Sequence, residues 1–272
     1  MSLDITAGIK RPKIDMHCHV WQMENWEKSS DHLVACSEAL GITESWCSSI
    51  ISAGKLAPAE EIPPHNNTIL AAMKRHPNHI RGWCFVIPGH FQATQDEINR
   101  CLDAGMIGIK LYNQYWLNDP AVFPVIELAI ARKVPILEHA GYPTSAEFKA
   151  AQPHISHGIH FTEASQRYPE AMLIHAHIGG GGDWEHTVRE MRNASPNVYI
   201  DVSGSNLDDG CIEFAVQEMG IERVLFGTDG TMAGSVGKVL DADLTDTQRE
   251  HIFWTNAERI LAQQGATPTQ TR

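Results

Sequence analysis

The chain has 272 residues, 43% of them hydrophobic and 20% charged, the balance of a soluble globular protein with a sizeable core. Its formal net charge of −12 argues against nucleic acid as the main partner, because phosphate binding needs clustered Lys and Arg. No stretch approaches the ~20 apolar residues that cross a bilayer, and Met1 to Pro12 lacks the apolar segment of a secretory signal, so a cytoplasmic location away from membranes is expected.

Along the chain, a strand-like apolar run followed by a helical pattern recurs eight times. The runs cover 13–17, 44–52, 80–88, 106–112, 134–139, 172–177, 198–202 and 223–229. They are short, continuous and apolar, as parallel strands buried on both faces are. Helix starts are expected at the capping box Thr94–Glu97 and at Asp119-Pro120. Two more boxes, Thr245–Gln248 and Thr255–Glu258, are expected to start two helices after the last strand. Gly41 and Gly105 fit helix C-caps. Eight such units in this length predict an α/β protein, a (β/α)8 TIM barrel forming one domain over residues 1–272. The alternative is an open doubly wound sheet, but no G-x-G-x-x-G follows the first strand. The six cysteines form no C-x-x-C pair and read as buried free thiols.

In such a barrel the active site forms where the strands end. The first run leads into Asp15-Met16-His17-Cys18-His19, and strict alternation would put residues 15, 17 and 19 on one face. The fifth ends in Glu138-His139, the sixth in His175-Ala176-His177, the eighth in Gly227-Thr228-Asp229. With 15 histidines in the chain, an H-x-H arises about once by chance, so the pair alone means little. Its position carries the signal: three strands ending in histidine and a fourth in aspartate would converge on one pocket. Neutral imidazole and carboxylate suit one divalent metal, zinc foremost and manganese or iron as alternatives. Such a metal activates water and polarises a carbonyl.

Asp15-x-His17-x-His19, Gly108-Ile109-Lys110-Leu111-Tyr112, His139-Ala140-Gly141, His177-Ile178-Gly179-Gly180, Gly227-Thr228-Asp229 and Asn256-Ala257-Glu258-Arg259-Ile260-Leu261 together resemble the amidohydrolase superfamily. More narrowly they resemble its amidohydrolase-related branch of lactone hydrolases and non-oxidative decarboxylases. The resemblance runs from residue 13 to about 262. It implies metal ligation by His17, His19, His139 and Asp229, with Asp229 also handling the proton of water. It implies that His177 orients or activates water or substrate in a one-metal site, or ligates in a two-metal site. It also implies a homodimer. Asp15 would steady His17 from behind, as carboxylates behind a metal ligand do.

Other residues keep two readings. Lys110 would bridge two metals if carbamylated, contact an anionic substrate, or pair with a core carboxylate. His175 reads as a core histidine, and Glu138 faces away from His139. His154, His157 and His160 lie in a long loop after the fifth strand, where each alone reads as solvated surface. Trp21, Tyr112, Trp116 and Tyr142 would line a substrate pocket or pack under loops. The run Gly179–Gly182 would cradle an anion or turn the chain tightly, and Asn256 caps. The leading function is hydrolysis of a small ester, lactone or amide by metal-activated water, with catalytic Asp229 and His177. Non-oxidative decarboxylation of an aromatic or vinylogous acid is the alternative. It would favour a strand-end arginine, and Arg81 stands at the wrong end of its strand. A non-catalytic metal- or ligand-binding barrel is the reading of another class.

Overall fold

The computed structural model describes residues 4–22, 24–51, 54–178, 183–204 and 206–269. The Gly179–Gly182 run lies outside them. Eight parallel strands follow one another in chain order: β1 (Lys13–His19), β2 (Ile42–Ser48), β3 (Ile80–Phe85), β4 (Gly108–Leu111), β5 (Ile136–His139), β6 (Leu173–Ala176), β7 (Val198–Asp201) and β8 (Val224–Leu225). Backbone bonds from Met16 N–H to Phe226 O (3.1 Å) and from Asp229 N–H to His17 O (2.7 Å) bring the last strand back to the first. The result is the expected (β/α)8 barrel. Each strand is covered on its outer face by apolar helix stripes. Ile109, Leu111, Ile136 and Leu173 pack there against residues such as Ile126, Ala129 and Phe161.

The barrel interior is filled rather than open. Ile14, Met16, Trp46, Trp83, Leu137, Ile174, Tyr199 and Leu225 form one cluster drawn from seven strands, and such residues can meet only inside the barrel. Trp254, Ile260 and Leu261 near the C-terminus pack on it. The Trp83 indole N–H donates to Met16 O at 2.9 Å, which satisfies its buried donor. This plug fills the barrel below the strand ends and leaves the site at its mouth.

Strict alternation fails on β1. Met16 packs inside and Cys18 packs in the outer layer, although two residues apart they would share a face. The pairing with β2 shifts register between Asp15 and Cys18, which accounts for the change of face. Asp15 therefore does not line up behind the two histidines.

Three helix starts differ from expectation. The helix Gln92–Asp103 begins before Thr94, whose hydroxyl donates to Ile87 O (3.0 Å), while Glu97 is taken by Asn66 and Arg100. The helix Phe123–Arg132 begins after Asp119-Pro120, where Asp119 instead accepts from Ala121 N–H. The Thr245 box forms, but Thr255 lies inside a continuous π-then-α run and Asn256 donates to Ile221 O and Val224 O. Gly41 and Gly105 take positive φ just past helix ends, as expected. All six cysteines are free and five are buried. Among the described residues no helix is long and apolar enough to cross a membrane.

Candidate metal centre

The mouth of the barrel gathers His17 and His19 from β1, Lys110 from β4, His139 from β5, His177 after β6, Asp201 from β7 and Asp229 after β8. Two of these stand in left-handed backbone, His177 at φ 68° and Asp229 at φ 50°. Such a conformation costs about 1–2 kcal/mol for a residue with a Cβ, and it persists because the surroundings hold it. His177 N–H donates to Asp201 Oδ1 (3.0 Å), and Asp229 N–H to His17 O. Close approach also requires Gly227: a Cβ there would lie 3.0 Å from His17 Cβ and 3.1 Å from Asp201 Cγ.

Each imidazole directs one nitrogen outward to an acceptor. His17 Nδ1–H donates to Asp201 Oδ2 (2.9 Å), and His19 Nδ1–H to Ser48 O (3.2 Å). His139 Nε2–H donates to Gln152 Oε1 (3.0 Å), an oxygen that also accepts from Asn113 Nδ2. Ser203 settles the fourth. Its hydroxyl donates to Asp201 Oδ1 (2.5 Å), so its oxygen accepts from His177 Nδ1–H (2.8 Å).

With the outer nitrogens protonated, the inner four are bare in neutral rings. His19 Nε2 then faces Asp229 Oδ1 at 3.0 Å, lone pair to anion. His139 Nδ1 faces His177 Nε2 at 3.0 Å, lone pair to lone pair. Burial favours the neutral rings: it pushes His177 down to about 3, His19 below the usual range and His139 far below it. Such facing acceptors are stable around a cation. A divalent ion with bonds of about 2.1 Å spaces its donors roughly 3–3.5 Å apart. His17 Nε2, His19 Nε2 and Asp229 Oδ1 lie within 4.8 Å of one another; atoms of His17, His177 and Asp201 do so too, but there the Nδ1–H groups of the rings already donate to Asp201 and Ser203. The donor set therefore fits a divalent metal.

The structure brings His17, His19, His177 and Asp229 together. His139 belongs to neither donor group and reaches the cluster through His177. Lys110 is fully buried, with Nζ 3.3 Å from His17 Nε2, and burial lowers it to about 8. It forms no ion pair at contact distance among the described residues. Tyr112 stacks on His139 (4.3 Å between ring centres) and Trp21 on His19 (4.8 Å). Trp116 and Tyr142 stand apart, beyond Gln152.

The carboxylate behind His17 is Asp201 and not the expected Asp15. Asp15 accepts from His17 N–H, Thr228 N–H and the Thr228 hydroxyl, so it ties β1 to the turn after β8. Asp201, Ser203, Ser48 and Gln152 were not foreseen. Asp201 had a signal, since it closes β7 at the strand end where functional groups gather. His175 is buried, with Nδ1 on His177 O, and Glu138 accepts from Ser156. His157 and His160 are not solvated loop residues: His157 precedes the helix Gly158–Arg167 and pairs with Glu190, and His160 is stacked on Trp116.

Similarity to known proteins bears on the family and the fold. The amidohydrolase family profile matches residues 14–262. No curated protein sequence matches the chain. The fold is similar to a putative amidohydrolase from Staphylococcus aureus (TM-score 0.73, 20% identity, 92% of this chain and 99% of that one). It is also similar to a dihydroxybenzoic acid decarboxylase from Polaromonas sp. JS666 with bound manganese and the inhibitor 2-nitroresorcinol (0.74, 18%, 92% and 96%). A 2,6-dihydroxybenzoate decarboxylase from Rhizobium is a third such structure (0.71, 16%, 92% and 98%). With the profile covering nearly the whole barrel, this chain belongs to the amidohydrolase family.

Proposed function

We propose that this protein is a metal-dependent hydrolase of a small ester, lactone or amide that carries a negative charge. The observation behind the reading is the set of inward-facing bare nitrogens beside the Asp229 carboxylate. His17, His19 and Asp229 would hold the metal, and His139 would join them through Nδ1. Imidazole with carboxylate suits zinc, and manganese as the second choice. When bound, the metal would acidify a water and polarise the substrate carbonyl.

The chain's own groups would do the rest. Asp229 has a second oxygen, Oδ2, on the side of His177. That oxygen takes the proton of the attacking water and, being a weak base, passes it on to the leaving group. Neutral His177 orients the water or the substrate through Nε2. Lys110 carries a buried positive charge towards the reacting oxygen or the substrate anion. Trp21 and Tyr112 flank the entrance and exclude water.

Decarboxylation of an aromatic acid is the second reading. The buried Lys110 amine beside His17 and the Tyr112 ring stacked on His139 support it, as do the decarboxylases among the similar structures. Against it, no arginine touches the cluster among the described residues; Arg81 pairs with Glu44 where β2 and β3 begin. Turnover in 18O-labelled water separates the two. Hydrolysis of a lactone or aryl ester places one labelled oxygen in the product acid. Release of CO2 from a dihydroxybenzoate, with solvent deuterium entering the ring in heavy water, would replace hydrolase by decarboxylase. Failure of the purified protein to retain a metal would remove both.

A further inference from the structure

Beyond His139, on the far side of Gln152, lies a second cavity of about 210 Å3. Trp116, Tyr142, His157 and His160 wall it, and Lys149 stands at its exposed edge. Typical ligand pockets measure about 300–1,000 Å3, so this one takes a single ring or a short acyl group and not a whole cofactor.

Its walls are held in place. Glu190 accepts from His157 Nδ1 (2.7 Å) and from Ile159 N–H (3.0 Å), and its other oxygen meets His186 at 3.1 Å. Both oxygens of Glu190 are thus occupied. His157 N–H donates to His160 Nδ1 (3.0 Å), which leaves the proton of neutral His160 on Nε2. The His160 ring lies parallel to Trp116, with 5° between planes, and Tyr142 meets His157 edge to face. Trp116 also meets His154 at right angles (5.2 Å between ring centres) and is nevertheless 40% exposed.

The polar groups left over are donors: the His160 ring N–H and the Lys149 ammonium, which makes no ion pair among the described residues. In a chain of net charge −12 this is a local exception to the general field. Flat aromatic walls with these two donors suit a planar anion.

We propose that this cavity is the distal subsite of the substrate, where a planar fragment lies on Trp116 and its carboxylate meets Lys149 and His160. Gln152, which touches His139 on one side and lines the cavity on the other, marks the passage between the two ends of the substrate. The inference rests on the preceding reading in taking cavity and metal cluster to hold two ends of one molecule.

Benzoate is the probe, with benzyl alcohol as its neutral counterpart, and binding is read by saturation-transfer NMR and tryptophan fluorescence. Benzoate should bind the wild-type protein and Asp229→Asn alike. Lys149→Gln should weaken it about five- to tenfold, as loss of one charge-assisted contact does, and leave benzyl alcohol unchanged. Trp116→Ala should weaken both probes. Benzoate binding that ignores Lys149 and Trp116, or that disappears with Asp229→Asn, would overturn the subsite and leave the metal reading intact. Binding that follows Lys149 and Trp116 in a protein that takes up no metal would keep the anion-binding cavity and remove the metal reading.

Discussion

The two ends of the barrel both bury charge, yet they bury it differently. Where the strands begin, Lys13 Nζ meets four carbonyls, those of Gly8, Ile9, Arg11 and Leu40, at 2.7–3.1 Å. Arg223 likewise donates to Val198 O and Met191 O, and Glu44 meets Arg81, Trp46 and Thr269. Donors there face acceptors, and the charges are closed off by the protein itself. Where the strands end, acceptors face acceptors: His19 opposes Asp229 and His139 opposes His177. Buried charge alone therefore does not mark function in this molecule. A buried set that the protein leaves mismatched does, because only a cation from outside completes it.

Removing a mismatched group should empty the centre without unfolding the barrel. Asp229→Asn keeps the shape and deletes the anion, and the expected outcome is a loss of metal affinity of more than about 1,000-fold with little change in unfolding midpoint. Metal content by mass spectrometry after dialysis, beside a urea titration, checks both halves. Metal retained at full stoichiometry would break the comparison.

Lys13→Met is the converse at the other end. It strands three carbonyls, since Gly8 O keeps the Arg11 N–H (3.3 Å), and each is worth about 1 kcal/mol or more when unsatisfied, so a loss of about 3 kcal/mol in unfolding free energy is expected. Metal content should not change. A variant that loses metal and stability together would mean that the two ends are not independent.

Asp201→Asn tests the step between the metal ligands and their support. Asp201 holds His17 through Nδ1 and fixes Ser203 and the His177 backbone, while standing behind the ligands. A drop of about 10- to 100-fold in metal affinity is expected, as for other carboxylates behind a ligating imidazole. The drop should be smaller than for Asp229→Asn.

Much of this contrast is legible in the sequence, and the reason is periodicity. Parallel strands buried on both faces appear as apolar runs, and the residues closing those runs, His17, His19, His177 and Asp229, meet because the barrel brings strand ends together. What stays hidden depends on partners far along the chain. Asp201 is 184 residues from His17, and nothing local marks it as the partner in place of Asp15. The register shift on β1 changes the face of the strand between Met16 and Cys18 without any Gly or Pro to announce it. Thr94 and Glu97 carry a capping-box pattern, but Ile87, Asn66 and Arg100 claim their side chains first. His157 and His160 look like loop residues until Glu190, on another helix, is placed beside them.

Glu138 lies between the two regimes and gives the smallest effect. It is fully buried on β5, accepts from Ser156 at 2.6 Å, and Oε2 has no partner among the described residues. Burial pushes its carboxyl up to about 8, against the Ser156 bond and the Lys110 charge. A folded pKa above the unfolded value of 4.5 means that the folded state binds the proton more tightly. Its contribution is fully present below pH 4.5 and is lost as pH rises through about 8. Glu138→Gln, a neutral mimic of the protonated form, should therefore match the wild-type protein near pH 4.5. It should gain on the wild-type protein as pH rises, reaching about 1–2 kcal/mol by pH 8.5. Urea unfolding of both proteins across that range measures the difference. A constant difference would place a charged carboxylate beside Lys110, making Glu138 a closed pair of the kind found where the strands begin.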